Sequence, residues 1–190
     1  MKRKYLTGDE VACLLQSASS EMSSSRDCCM IGMAFWHGLR VSELTTLRLE
    51  DYDPLSQCIQ IRRLKGGLST THPLIPRELE LLHTWLARRP HYDKKQHDWL
   101  FLSDTGGPVS RQAFHRQLDK YGRQANLTIH AHPHMLRHAC GYELAEQGLD
   151  TRLIQDYLGH RNIRHTVHYT ASNAARFANV WQPPDHCLLR

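Results

Sequence analysis

His134-Met135-Leu136-Arg137-His138 follows Pro133, and proline is favoured in the first turn of a helix because its missing N–H and fixed φ cost nothing there. A helix begun at this point sets His134 and Arg137 one turn apart on the same face. It also presents unpaired N–H groups and the positive end of the helix dipole, a setting that favours a phosphate. Alone, the motif reads equally well as an ordinary solvated helix face.

Working outward from it, the chain reads as mainly helical with one antiparallel hairpin, an α+β domain. Thr7-x-x-Glu10 is a capping box opening an amphipathic helix through Val11, Leu14 and Leu15. Ser25 is expected to cap a second helix that carries an apolar run to His37 and ends at Gly38, and Ser42 to start a short third one through Leu44 and Leu47. The hairpin pairs residues 58–62 with 69–74 around Lys65-Gly66-Gly67, with Pro73 marking an edge strand. Further helices are expected at about 77–87, 111–124, 134–147, 151–157 and 172–181. The reading is one catalytic unit over residues 1–182 with a short tail at 183–190.

Other residues share the chemistry suggested by Arg137. Arg40 sits at a helix break, with Glu43 three residues on and able to orient it. Two arginine forks can hold both non-bridging oxygens of one phosphodiester and stabilise the charge that builds on pentacoordinate phosphorus. Tyr169 follows Leu158-Gly159-His160 by nine residues, and a tyrosine hydroxyl can attack phosphorus reversibly. Tyr157 is the rival phenol, but its place beside Leu158 suits a core residue. Lys65, in the hairpin turn, is placed to reach over a DNA strand as a proton donor.

Arg40, Lys65, His134-x-x-Arg137, Leu158-Gly159-His160 and Tyr169, in that order, resemble the tyrosine recombinase (phage integrase) family across nearly the whole chain. Residues 132–177 look especially like the Fim-type DNA invertases that switch fimbrial promoters in enteric bacteria. The resemblance implies a site-specific recombinase that cleaves and rejoins DNA through a 3′-phosphotyrosyl link, inverting a promoter segment between inverted repeats. It makes Arg40, Arg137 and His160 the phosphate-binding residues and Tyr169 the nucleophile. Lys65 would protonate the 5′ leaving oxygen and His134 would assist proton transfer at the nucleophile, with Glu43 and His138 in support. Arg62, Arg63, Arg111, Arg161 and Arg164 are expected to face DNA. No metal, ATP or other cofactor is implied. The family works as a tetramer on two double-stranded DNA sites, so the 172–181 helix is expected to pack on a neighbouring subunit, and host DNA-bending proteins are natural partners. A separate N-terminal clamp domain, usual among integrases, is not expected here.

Composition is consistent with this and excludes other classes. The 190 residues are 41% hydrophobic and 23% charged, which suits a soluble domain. The longest apolar run, Met30–Trp36, is too short to span a bilayer, and the basic start lacks the apolar core of a signal peptide. The six cysteines show no disulfide spacing, so a reducing bacterial cytoplasm, at the nucleoid, is the expected location. The formal charge is +5, and three long windows without Asp or Glu would attract a polyanion. Among the 14 histidines, His130, His132, His134 and His138 suggest a zinc site, but Met135 stands where a zinc helix carries its glutamate. The remaining alternatives are a DNA-binding regulator that never cuts and a topoisomerase-like strand transferase.

Overall fold

Helix α2 (Ser24–Trp36) is buried along almost its whole length, from Cys28 to Ala34, and the other elements gather round it. It packs against α1 (Gly8–Ser19), α4 (Pro76–Arg88) and α6 (Pro133–Glu146). This explains why its hydrophobicity has no polar stripe: a helix with neighbours on every side needs none. The computed structural model describes residues 3–21, 24–64 and 66–171.

The capping box of α1 forms as expected. The Thr7 hydroxyl accepts from the Glu10 N–H, and the Glu10 carboxylate accepts from the Thr7 N–H at 2.9 Å. Helix α3 spans Val41–Leu44, one residue earlier than the Ser42 start expected and ending before Leu47. Glu43 accounts for the shift, because its carboxylate takes the Arg40 N–H at 2.9 Å and makes Arg40 the cap.

The hairpin strands are β2 (Cys58–Ile61) and β3 (Thr70–Pro73), and Pro73 does lie on an edge strand. A third strand, β1 (Tyr52–Asp53), joins in the order β1-β2-β3, all antiparallel, with Tyr52 opposite Ile59. Two residues are too few for a period-2 signal, so this strand has no sequence signature. Helix α5 (Arg111–Gln124) is capped by Ser110. The chain then forms α6, α7 (Thr151–Leu158) and α8 (Arg164–Thr170). The helix expected at 172–181 and the tail at 183–190 lie outside the described residues.

Two apolar clusters result. The larger joins α1, α2, α4, α5 and the strands, with Trp85 donating its indole N–H to the Leu100 carbonyl at 2.9 Å. The smaller, of Cys140, Ala145, Ile154, Leu158 and Tyr169, ties α6, α7 and α8 together. No helix among the described residues is long and apolar enough to cross a membrane, and the described cysteines are free.

Candidate active site

The site grows from Glu43, whose side chain is 1% exposed. One carboxylate oxygen accepts from Arg40 Nη1 at 2.7 Å; the other accepts from Arg63 Nη1 at 2.9 Å and lies 3.9 Å from Arg137 Nη1. Three guanidinium charges against one carboxylate leave an excess of two positive charges. Burial tends to raise the Glu43 carboxyl, but the Arg40 N–H and the neighbouring arginines outweigh it and hold the group below its ordinary value.

Arg137 is anchored by main-chain carbonyls. Its Nη1 donates to Gly38 O and its Nη2 to Leu158 O at 2.8 Å. Burial, reinforced by Arg40 and Arg63, lowers it to about 10, so it stays a cation at neutral pH. Both acceptors depend on glycine nearby. Gly38 has φ +55°, and a Cβ there would stand 2.3 Å from Leu158 Cδ2. Gly159 has φ +64° and closes α7 as a left-handed cap, a conformation that glycine adopts without steric cost.

That cap delivers His160. Its N–H donates to Gln155 O at 2.9 Å and its carbonyl accepts from Gln155 Nε2 at 2.8 Å. Its Nδ1 lies 2.9 Å from the Thr166 hydroxyl. Burial, followed by Arg137 and Arg40, lowers the imidazole to about 3, so it is neutral under ordinary conditions.

Tyr169 sits near the end of α8, which the sequence did not announce as a helix, and it is only 2% exposed. Its ring stacks on His160 with centroids 6.4 Å apart and 13° between planes. It also lies flat enough against α6 that a Cβ on Gly141 would meet it at 2.6 Å. The phenol reaches His138 Nδ1 at 2.9 Å. Burial raises its pKa, with the Arg137 charge pulling the other way. His138 is itself lowered to about 4, by burial and then by His168, His134 and Arg137.

The expected site residues separate into three groups. Arg40, Glu43, Arg137, His138, His160 and Tyr169 converge as described. His134 is exposed on the first turn of α6, its ring 6.5 Å from that of His132. Lys65 lies outside the described residues. Of the arginines expected to face DNA, Arg111, Arg161 and Arg164 are exposed, and Arg161 reaches the hairpin turn beside Gly66. Arg62 is exposed but paired with Glu50 and Asp51. Arg63 corrects its expectation: its side chain is 0% exposed, and both its Nη atoms are taken up by protein acceptors. Its partners lie 20, 26 and 94 residues away, so no local pattern distinguishes it from Arg62. Tyr157, the rival phenol, is occupied in donating to Trp36 O at 2.9 Å. Among the described residues no group of three or more His, Cys, Asp or Glu side chains is arranged to hold a metal ion.

Residues 4–176 match the phage integrase family. The chain belongs to that family. It is 51% identical over 180 residues to the type 1 fimbriae regulatory protein FimB of Escherichia coli K12, covering 95% of this chain and 90% of that protein. It is 52% identical over 182 residues to FimE of the same strain, with 95% and 92% covered. Among solved structures, the XerA recombinase superposes with a TM-score of 0.80 at 27% identity. A post-cleavage complex of the XerH site-specific recombinase with palindromic difH substrate gives 0.78 at 26%. These cover 93% of this chain but only 63% and 52% of theirs. Family membership makes the chain a tyrosine recombinase, an enzyme that breaks and rejoins DNA strands.

Proposed function

We propose that this recombinase inverts a promoter-bearing DNA segment between two inverted repeats, using Tyr169 to form a 3′-phosphotyrosyl link. The observation that carries the reading is the buried Glu43 cluster beside a Tyr169 phenol already hydrogen-bonded to His138. A phosphodiester carries one negative charge, and its pentacoordinate transition state carries about one more; an excess of two positive charges favours the latter.

Arg40 and Arg137 hold the non-bridging oxygens. With Nδ1 engaged by the Thr166 hydroxyl, Nε2 is the His160 nitrogen left for the same phosphate, and the tautomer protonated there, Nδ1 accepting from Thr166, donates to it. His138, neutral at ordinary pH, accepts the Tyr169 proton as the phenol attacks, with His134, one turn earlier on α6, assisting that proton transfer. Lys65 protonates the 5′ oxygen as it leaves. The new ester conserves the bond energy of the old one, so the rejoining step runs the same chemistry backwards.

Residues 1–182 act as the catalytic domain, in the cytoplasm at the nucleoid, as a homotetramer on two double-stranded sites. In that assembly the 172–181 segment contacts a neighbouring subunit, and host DNA-bending proteins bring the sites together. Arg62, Arg111, Arg161 and Arg164 meet the DNA backbone; the exposed ion pair of Arg62 with Glu50 is weak enough to exchange for phosphate.

The test is a suicide DNA substrate carrying an inverted repeat, incubated with wild type and with Tyr169→Phe and run on a denaturing gel. A covalent band with wild type alone is the expected result. Tight binding with no band from wild type would instead favour a regulator that does not cut.

A further inference from the structure

Arg63 stands two residues before Lys65, yet its guanidinium turns into the protein. Nη1 donates to Glu43 at 2.9 Å, and Nη2 donates to two carbonyls, His37 O at 3.1 Å and Tyr157 O at 2.6 Å. Those acceptors belong to α3, to the residue just after α2 and to α7. They lie in or next to the segments that deliver Arg40, Gly38 and His160. The aliphatic stem of Arg63 is clasped by two glycines. A Cβ at Gly159 would stand 2.7 Å from its Cγ, and one at Gly67 would stand 2.9 Å from its Cβ. One side chain therefore joins the hairpin turn, the carboxylate that orients Arg40 and the cap that presents His160.

Burial lowers the Arg63 guanidinium despite its pairing with Glu43; a buried ion pair is weak evidence for a stabilising role, since replacing both partners by apolar side chains is often neutral or stabilising, although removing one alone is destabilising. We propose that Arg63 is a positioning residue for strand cleavage, holding Arg40, His160 and the hairpin turn at Gly67 in one register without itself touching DNA. The inference rests on the strand-cleavage reading above.

The experiment compares wild type, Arg40→Ala, Arg63→Met and the double variant. Covalent adduct on the suicide substrate is timed over hours, and DNA affinity is measured in parallel at several salt concentrations. Arg63→Met is expected to slow adduct formation about a hundredfold, the scale of a displacement near 1 Å, with affinity and salt dependence as in wild type. The double variant is expected to be slower than Arg40→Ala by clearly less than the hundredfold that Arg63→Met costs alone, because part of that effect runs through Arg40. Fully multiplying defects would overturn the proposal, and so would a shallower salt dependence, which marks a lost phosphate contact. If Arg63→Met does not fold, Arg63→Lys takes its place in the cycle; if neither folds, the residue serves stability and the proposal falls. Wild type without any adduct sinks the strand-cleavage reading itself, whereas normal adduct from Arg63→Met sinks only this inference.

Discussion

The Tyr169 hydroxyl lies 2.9 Å from His138 Nδ1, across two helices that are 31 residues apart in sequence at this contact. His138 is one turn beyond His134 on α6, so the histidine touching the proposed nucleophile is not the one that the motif brings first to notice. With His138 lowered to about 4 and the phenol raised, the proton rests on Tyr169 until a phosphate arrives.

His138→Gln is therefore expected to slow adduct formation by about 100- to 10,000-fold, the range for loss of a general base. The wild-type rate should be level above about pH 6, where His138 is already neutral. The variant's rate should climb with pH as the phenol ionises unaided. A pH–rate profile from pH 6 to 10 checks this, and parallel wild-type and variant curves would contradict it.

Gly141→Ala drives a methyl into the Tyr169 ring, whose atoms lie 2.6 Å from the added Cβ. The expected cost is about 1–3 kcal/mol in urea unfolding, as for overpacking elsewhere. Adduct yield should fall while DNA affinity holds, since the arginines are untouched.

Glu43→Gln keeps the shape of the side chain but removes the anion shared by Arg40, Arg63 and Arg137. Breaking a buried pair on one side costs about 3–5 kcal/mol. Equilibrium unfolding should show that loss at neutral pH, and a much smaller change would mean that solvent reaches the three cations.

Acid should destabilise the protein through its neutral histidines. His72 and His160 are lowered to about 3 and His138 to about 4, in each case chiefly by burial, whereas an unfolded imidazole protonates near pH ~6.5. Between those limits the unfolded chain binds more protons, so stability drops as pH falls. From pH 7.5 to 5.5 the expected loss is about 1 kcal/mol per histidine. Glu43, held low, loses its contribution only at more acid pH. A flat urea midpoint across the window would disprove the assignment of neutral side chains.

Local signals wrote much of this fold into the sequence, and tertiary ones wrote the rest. Thr7 with Glu10 before α1, Ser110 before α5 and Pro133 in the first turn of α6 each mark a helix start by local chemistry, and each sits where that chemistry put it. Helix α8 carries no such mark. Its Thr166, Val167 and Thr170 are poor helix formers, and packing on α6 and α7 holds it instead. The site divides the same way. Arg40 and Glu43 are neighbours in sequence and were legible together, as was the run from Gly159 to His160. The burial of Arg63 and the touch of His138 on Tyr169 depend on residues brought together only by folding.

Arg137 has five N–H donors, and in the structure two of them hold Gly38 and Leu158. The chain thus keeps its proposed phosphate-binding fork at a fixed angle by fastening part of it to its own loops, so that the substrate would meet a hand already half closed. An enzyme lacking this arginine would lose the latch between residues 38 and 158 together with the charge. A preparation inactivated at Arg137 is for that reason a poor stand-in for the resting enzyme, and Tyr169→Phe, which spares the latch, is the better decoy for trapping DNA complexes.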